Sequence, residues 1–165
     1  MIGALRSDHA GETGAVAIYQ GVLAVSRNHS VRAFARHHLA TEERHLEIMQ
    51  QLVLPVHRSR LLPVWRLAGW LTGALPALLG AVAVYRTIDA VETFVELHYT
   101  EQIERLRRRP EDGALCAVLE ACCADEVMHR NEARSQLGAP GLVGRCWTSL
   151  VGLGSRAGVN LACRI

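Results

Sequence analysis

Glu42 and His45 stand three residues apart, Glu126 and His129 repeat that spacing, and single glutamates at Glu12 and Glu92 each precede one of the pairs. Residues three apart share a helix face, so a Glu and a His at this spacing can reach one ion together. The full order, E…ExxH…E…ExxH, supplies the six side chains with which a four-helix bundle holds two metal ions in its core. Four ionised carboxylates match two divalent cations, and two neutral imidazoles complete the coordination without adding charge. Iron suits such a set, and manganese has similar ligand preferences.

Other groups lie close to this pattern. Glu96 follows Glu92 by one turn on the same face and could take its place. His9 and His38 lie one turn before Glu12 and Glu42 and read as groups that orient a ligand or as structural residues. Cys122 shares the face of Glu126, but hard ligands already complete the set and a thiolate favours softer metals.

Four helices must carry these residues. The first, N-capped by Ser7 and running to about Arg27, sets Glu12, Val16, Tyr19 and Leu23 on one stripe. After the Asn28-His29-Ser30 turn, a second helix faces inward with Phe34, His38, Glu42, His45, Met49 and Leu52 and stops before Pro55. A third runs from about Ala81 to Arg109, and a fourth from about Glu111 to Leu137, closed by Gly138 and Pro140. Charged groups on a core stripe are costly unless paired or metal-bound. The ligand order makes the two halves look like a duplicated helical hairpin, which gives the site pseudo-twofold symmetry.

The predicted fold is therefore all-α: a four-helix bundle of the ferritin-like kind with a di-metal core. An additional apolar helix over 61–80 and a C-terminal helix over 142–165 complete a single domain, 1–165. The chain has 165 residues, of which 50% are hydrophobic and only 5% aromatic, which suits aliphatic helix packing. The stretch Leu67 to Tyr85 has no charged residue, and Arg58, Arg60 and Arg66 precede it. A true span there would put Glu12, Glu42 and His45 across a bilayer from Glu92, Glu126 and His129. Residues 61–80 are accordingly expected to lie at a membrane surface. The net charge of +2 is too small to imply nucleic-acid binding, and Arg105, Arg107, Arg108 and Arg109 complement a helix dipole instead. The five cysteines, with no C-x-x-C, read as reduced core residues. No export signal is legible at the N-terminus.

At this point larger motifs become visible. The segments Asp8-His9-Ala10-Gly11-Glu12, Glu42-Glu43-Arg44-His45, Leu62-Pro63-Val64-Trp65, Ala90-Val91-Glu92 with His98-Tyr99, and Asp125-Glu126-Val127-Met128-His129 resemble the demethoxyubiquinone hydroxylase family of ubiquinone biosynthesis. The likeness runs from about Arg6 to the Ala162-Cys163-Arg164-Ile165 end. It implies an O2-dependent monooxygenase with two iron ions, Fe2+ or Fe3+, that hydroxylates a polyprenylated demethoxybenzoquinone ring. It also implies metal ligation by Glu12, Glu42, His45, Glu92, Glu126 and His129, with Glu92 preferred to Glu96. His98 and Tyr99 would serve electron delivery from NADH or the quinol itself. The implied location is peripheral, on the cytoplasmic face of a bacterial inner membrane or the matrix face of the mitochondrial one. Other ubiquinone-biosynthesis proteins are implied as partners, self-association is left open, and no nucleic acid is expected. The competing readings are a ferritin-like iron oxidation and storage protein and a non-catalytic quinone or lipid carrier. A di-iron hydroxylase of tRNA shares the ligand order but needs a broad basic face that this sequence lacks.

Overall fold

The computed structural model describes all 165 residues, and every regular element in it is helical. Six helices follow one another: α1 Ile2–Val25, α2 His29–Leu52, α3 Leu62–Leu79, α4 Ala81–Leu106, α5 Gly113–Ser135 and α6 Leu142–Ala162. Short 3-10 turns at Pro55–His57 and Pro110–Asp112 break the chain where proline removes a backbone donor. The helices α1, α2, α4 and α5 form the expected bundle, paired as the hairpins α1·α2 and α4·α5. Asn28 caps α2 by accepting the Val31 N–H at 3.1 Å.

Ser7 does not cap the first helix. The helix begins at Ile2, and Ser7 is buried inside it with its hydroxyl donating to the Ala4 carbonyl at 2.6 Å. Arg6 explains the extension: its guanidinium donates to the His57 carbonyl at 2.6 Å and approaches that of Cys163 at 3.4 Å. The start of α1 is thereby tied to the connector after α2 and to the end of α6. The third bundle helix ends at Leu106 rather than Arg109, and the fourth starts at Gly113, because the turn at Pro110 occupies the residues between. The cysteines are all free, but only Cys116 and Cys122 are buried; Cys146 is exposed, which corrects the reading of all five as core residues.

The uncharged run from Leu67 to Tyr85 is not one element. Gly80, at φ 105°, divides it into the end of α3 and the start of α4, a backbone conformation that glycine adopts without strain. No helix is long and apolar enough to cross a membrane. The helix α3 packs chiefly on α1, and α6 packs chiefly on α4, so each half is a three-helix unit. The duplication therefore extends beyond the hairpins. Both added helices leave apolar side chains outward: Val64, Leu67, Trp70, Leu71, Leu75 and Leu78 on α3, and Leu142, Val143, Leu150 and Leu153 on α6.

The α1·α3 contact is a glycine seam. A Cβ on Gly73 would run into the Ile18 carbonyl, one on Gly69 into that of Gly14, and one on Gly21 into that of Trp70. Backbone cannot yield as a side chain does, so Gly73→Ala is expected to cost about 1–3 kcal/mol. Gly152→Ala on α6, where a Cβ meets nothing within 4 Å, is expected to gain up to about 1 kcal/mol from helix propensity. Thermal unfolding of the two variants checks the contrast, which should appear as Tm shifts of opposite sign.

Candidate metal centre

The four bundle helices bring all six glutamates and histidines of the motif into one buried cluster. Glu12 comes from α1, Glu42 and His45 from α2, Glu92 from α4, and Glu126 and His129 from α5; none is more than 4% exposed. The ligand-capable atoms fall into two overlapping sets, one of Glu12, Glu42, His45 and Glu126 and one of Glu42, Glu92, Glu126 and His129. Glu42 and Glu126 belong to both. Each set thus has one histidine and one glutamate of its own and shares two carboxylates, the arrangement that bridges a pair of ions.

The histidines reach across helices. His45 Nδ1 lies 2.9 Å from Glu126 Oε1, and His129 Nδ1 lies 3.0 Å from Glu42 Oε1 and 3.2 Å from Glu126 Oε2. His45 is steadied from outside by Asp125, whose Oδ2 is 3.1 Å from Nε2. A carboxylate behind a metal-directed imidazole fixes its orientation.

Two tyrosines hold the unshared glutamates crosswise. Tyr99, on α4, donates to Glu12 Oε1 on α1, and Tyr19, on α1, donates to Glu92 Oε1 on α4 at 3.1 Å. Each tyrosine follows the glutamate of its own helix by seven residues, so the pairing repeats with the halves. Tyr19 was read from sequence only as part of an apolar stripe. Its offset from Glu12, equal to that of Tyr99 from Glu92, was the signal that could have found it.

The remaining candidates separate cleanly. Glu96 lies outside the cluster and pairs with Arg130, a guanidinium it reaches because it points away from the bundle axis. His38 turns to Glu132, with Nε2 and Oε2 3.0 Å apart. His9 is buried with neither ring nitrogen hydrogen-bonded; burial, then the charges of Arg58 and Arg66, lower its pKa to about 4. His98 does not enter the cluster: Nε2 is 2.9 Å from Asp8 Oδ1, which also accepts from Gln102 at 2.7 Å. Cys122 stays outside both sets, and burial followed by the charges of Glu12 and Glu126 pushes its thiol up to about 12.

The donors fit metal ions better than they fit one another. Both oxygens of Glu42, one of Glu126 and Nδ1 of His129 are buried without an aligned hydrogen bond, although they crowd together. Burying unpaired carboxylates costs several kcal/mol each. Three of the four carboxyls favour their protonated forms: burial and then the charge of Glu126 raise Glu12 and Glu92 well above the usual carboxylate range, and raise Glu42 as well. Burial pushes Glu126 up too, but His129 and His45 outweigh it and hold its carboxyl at about 2. Burial lowers His129, but Glu126 and Glu42 outweigh that and lift it to about 9. Two divalent cations would offset this buried negative charge.

Cations must therefore displace protons. Since His129 keeps its proton up to about pH 9, metal affinity is expected to rise with pH toward 9. The slope should be roughly tenfold per pH unit for each proton displaced. Titration calorimetry in buffers of different ionisation heat checks this, and pH-independent affinity contradicts it.

A cavity of about 440 Å³ leads to the cluster. Its floor includes Glu12, Glu42, Glu92 and Glu126, and its walls come from α1, α3, α4 and α6, with Trp65, Phe94, Val95, His98, Trp147 and Val151 among the lining. It is large enough for a substituted six-membered ring and mostly apolar.

A family profile described as "Ubiquinone biosynthesis protein COQ7" matches residues 1–162. A 3-demethoxyubiquinol 3-hydroxylase of Rhodospirillum rubrum is 40% identical over 131 residues, covering 77% of this chain and 60% of the relative. An NADPH-dependent mitochondrial 3-demethoxyubiquinone 3-hydroxylase of Dictyostelium discoideum is 30% identical over 164 residues, covering 98% and 76%. The protein of the same description in Mus musculus is 38% identical over 131 residues, covering 77% and 60%. The chain thus spans three fifths to three quarters of the length of these relatives.

Proposed function

We propose, on the premise that this chain belongs to the COQ7 family of ubiquinone biosynthesis proteins, that it is an O2-dependent di-iron monooxygenase acting on the ring of a polyprenylated demethoxyubiquinol. The observation that carries the reading is the pair of overlapping ligand sets sharing Glu42 and Glu126. Glu12 and His45 would complete one iron site, and Glu92 and His129 the other. Iron held there would supply the redox chemistry of O2 activation.

The chain's own residues do the positioning. Tyr99 and Tyr19 fix the unshared glutamates, and Asp125 fixes His45. The apolar cavity seats the ring against the carboxylate floor and limits water. On this reading His98, which lines the cavity and is held by Asp8 and Gln102, takes the proton that a quinol hydroxyl gives up with its electrons. Tyr99 links that wall to Glu12.

Removing either tyrosine hydroxyl should loosen one site only. Tyr19→Phe and Tyr99→Phe are each expected to weaken binding of one of two ions by roughly 10–100-fold, read as a biphasic metal titration where the parent gives one phase. Equal weakening of both ions would contradict the crosswise assignment.

Two of the helices that wall the cavity, α3 and α6, are also those with outward apolar faces. With Arg58, Arg60 and Arg66 nearby, this supports docking on a membrane surface from which a tailed quinol enters. The peripheral location, and contact with other ubiquinone-biosynthesis proteins, form part of the same proposal.

The test is a turnover under labelled oxygen. Each cycle takes O2, two electrons and two protons, inserts one oxygen atom into a ring C–H bond and releases the other as water. Iron-loaded protein given a demethoxyquinol and 18O2 should return a hydroxylated ring carrying one 18O. Ferrous oxidation without an organic product would favour iron storage instead, and quinone binding that survives iron removal, without product, would favour a carrier.

A further inference from the structure

The ligand stripe does not end at the core. On α2, His38 lies one turn before Glu42, with His37 beside it; on α5, Glu132 lies one turn after His129. These residues meet at the rim of the bundle, and His37, His38 and Glu132 each offer a ligand atom within 4.8 Å of the others. His38 Nε2 and Glu132 Oε2 are 3.0 Å apart, the same separation as His129 Nδ1 and Glu42 Oε1 in the core. Two ligands each roughly 2.1 Å from one ion stand about that far apart.

The setting favours a site over a chance contact. His38 is buried, with its ring packed on those of Phe34 and His129 at centroid distances of 4.3 and 4.1 Å, so it is held in place. Its Nδ1 has no partner, and its one hydrogen bond is the one Nε2 makes with Glu132. The His37 ring, 5.0 Å away, is on the exposed side and free to swing in. Two imidazoles and a carboxylate, open to solvent on the remaining side, select borderline first-row divalent cations over Mg2+ or Ca2+.

We propose that His37, His38 and Glu132 form a third metal site, an outer station for a divalent first-row cation, separate from the six-residue centre and sharing no ligand with it. Untagged, iron-loaded full-length protein titrated with Zn2+ and counted by native mass spectrometry tests this. The parent should bind one Zn2+ more than either His37→Ala or Glu132→Gln, with affinity for that ion falling at least tenfold in both variants. His37 and Glu132 are exposed, and Gln keeps a side chain able to meet His38, so helicity and iron content should match the parent. Equal Zn2+ counts in all three proteins overturn the proposal. Failure of the core assignment would instead lower iron in all three while leaving the one-ion difference intact.

Discussion

Glu126→Ala should empty both halves of the metal centre at once. Glu126 belongs to both ligand sets, and His45 and His129 each point a ring nitrogen at it. Without it each ligand set would lose a carboxylate that both share, and two histidines would lose the anion that lifts them. Iron per chain should fall from two toward zero, and hydroxylation by at least roughly a thousandfold, because the metal supplies the chemistry. Glu12→Ala makes the contrast: Glu12 belongs to one set only, so that variant should keep about one ion. The helical fold should survive in both, since each substitution removes one of four carboxylates buried close together. Glu126→Gln, nearly the same shape, separates loss of ligation from loss of packing. Iron analysis beside far-ultraviolet circular dichroism reads the outcome, and a Glu126→Ala protein with two irons and normal turnover would remove Glu126 from the centre.

Gly154→Phe should do the opposite: keep the metal and lose the reaction. Gly154 lines the cavity on α6, and a Cβ there meets nothing within 4 Å, so the new ring would grow into open space rather than into backbone. A benzyl group fills part of the cavity of about 440 Å³ and competes directly with the substrate ring. The expected result is at least a hundredfold loss in kcat/KM, about 3 kcal/mol in transition-state binding, with iron content and helicity unchanged. Paired with Glu126→Ala, this variant separates assembling the centre from reaching it. Unaltered kcat/KM in Gly154→Phe would mean that substrate approaches by another route.

The bundle and its cluster were legible in the sequence because the price of burying charge is high. Glutamates and histidines on the inward stripes, where leucines belong, leave little choice but a shared cation, and their order fixed which helix carries each. By spacing alone Glu96 could take the place of Glu92, since both lie on one face, and only the family resemblance preferred Glu92. The fold separates them by giving Glu96 a partner in Arg130 outside the bundle. Sharing of Glu42 and Glu126 was not legible, because an E-x-x-H turn suggests that its two residues serve one ion; only helix spacing sends His45 to Glu126 and His129 to Glu42.

Tertiary contacts decided what local signals could not. Ser7 has a capping side chain, but Arg6 finds carbonyls on two other segments, and the helix grows past the expected cap to meet them. The segment 61–80 stands out in the sequence as an additional apolar helix by its composition; its role as the partner of α1 depends on glycines at Gly69 and Gly73 facing Gly14 and Ile18, a match across sequence that no local window contains. Cys146 looked like a core residue in an apolar stretch, but α6 turns it to the outside. The crosswise tyrosines were visible as equal offsets, and only the antiparallel meeting of α1 and α4 gives those offsets a meaning.

Iron K-edge absorption on the loaded protein tests the central claim most directly. Two ions bridged by Glu42 and Glu126 should show as two irons per chain, oxygen-dominated coordination with about one imidazole nitrogen each, and an iron–iron vector near 3.5–4 Å. Isolated iron with no neighbouring iron at full loading would contradict the shared-carboxylate centre.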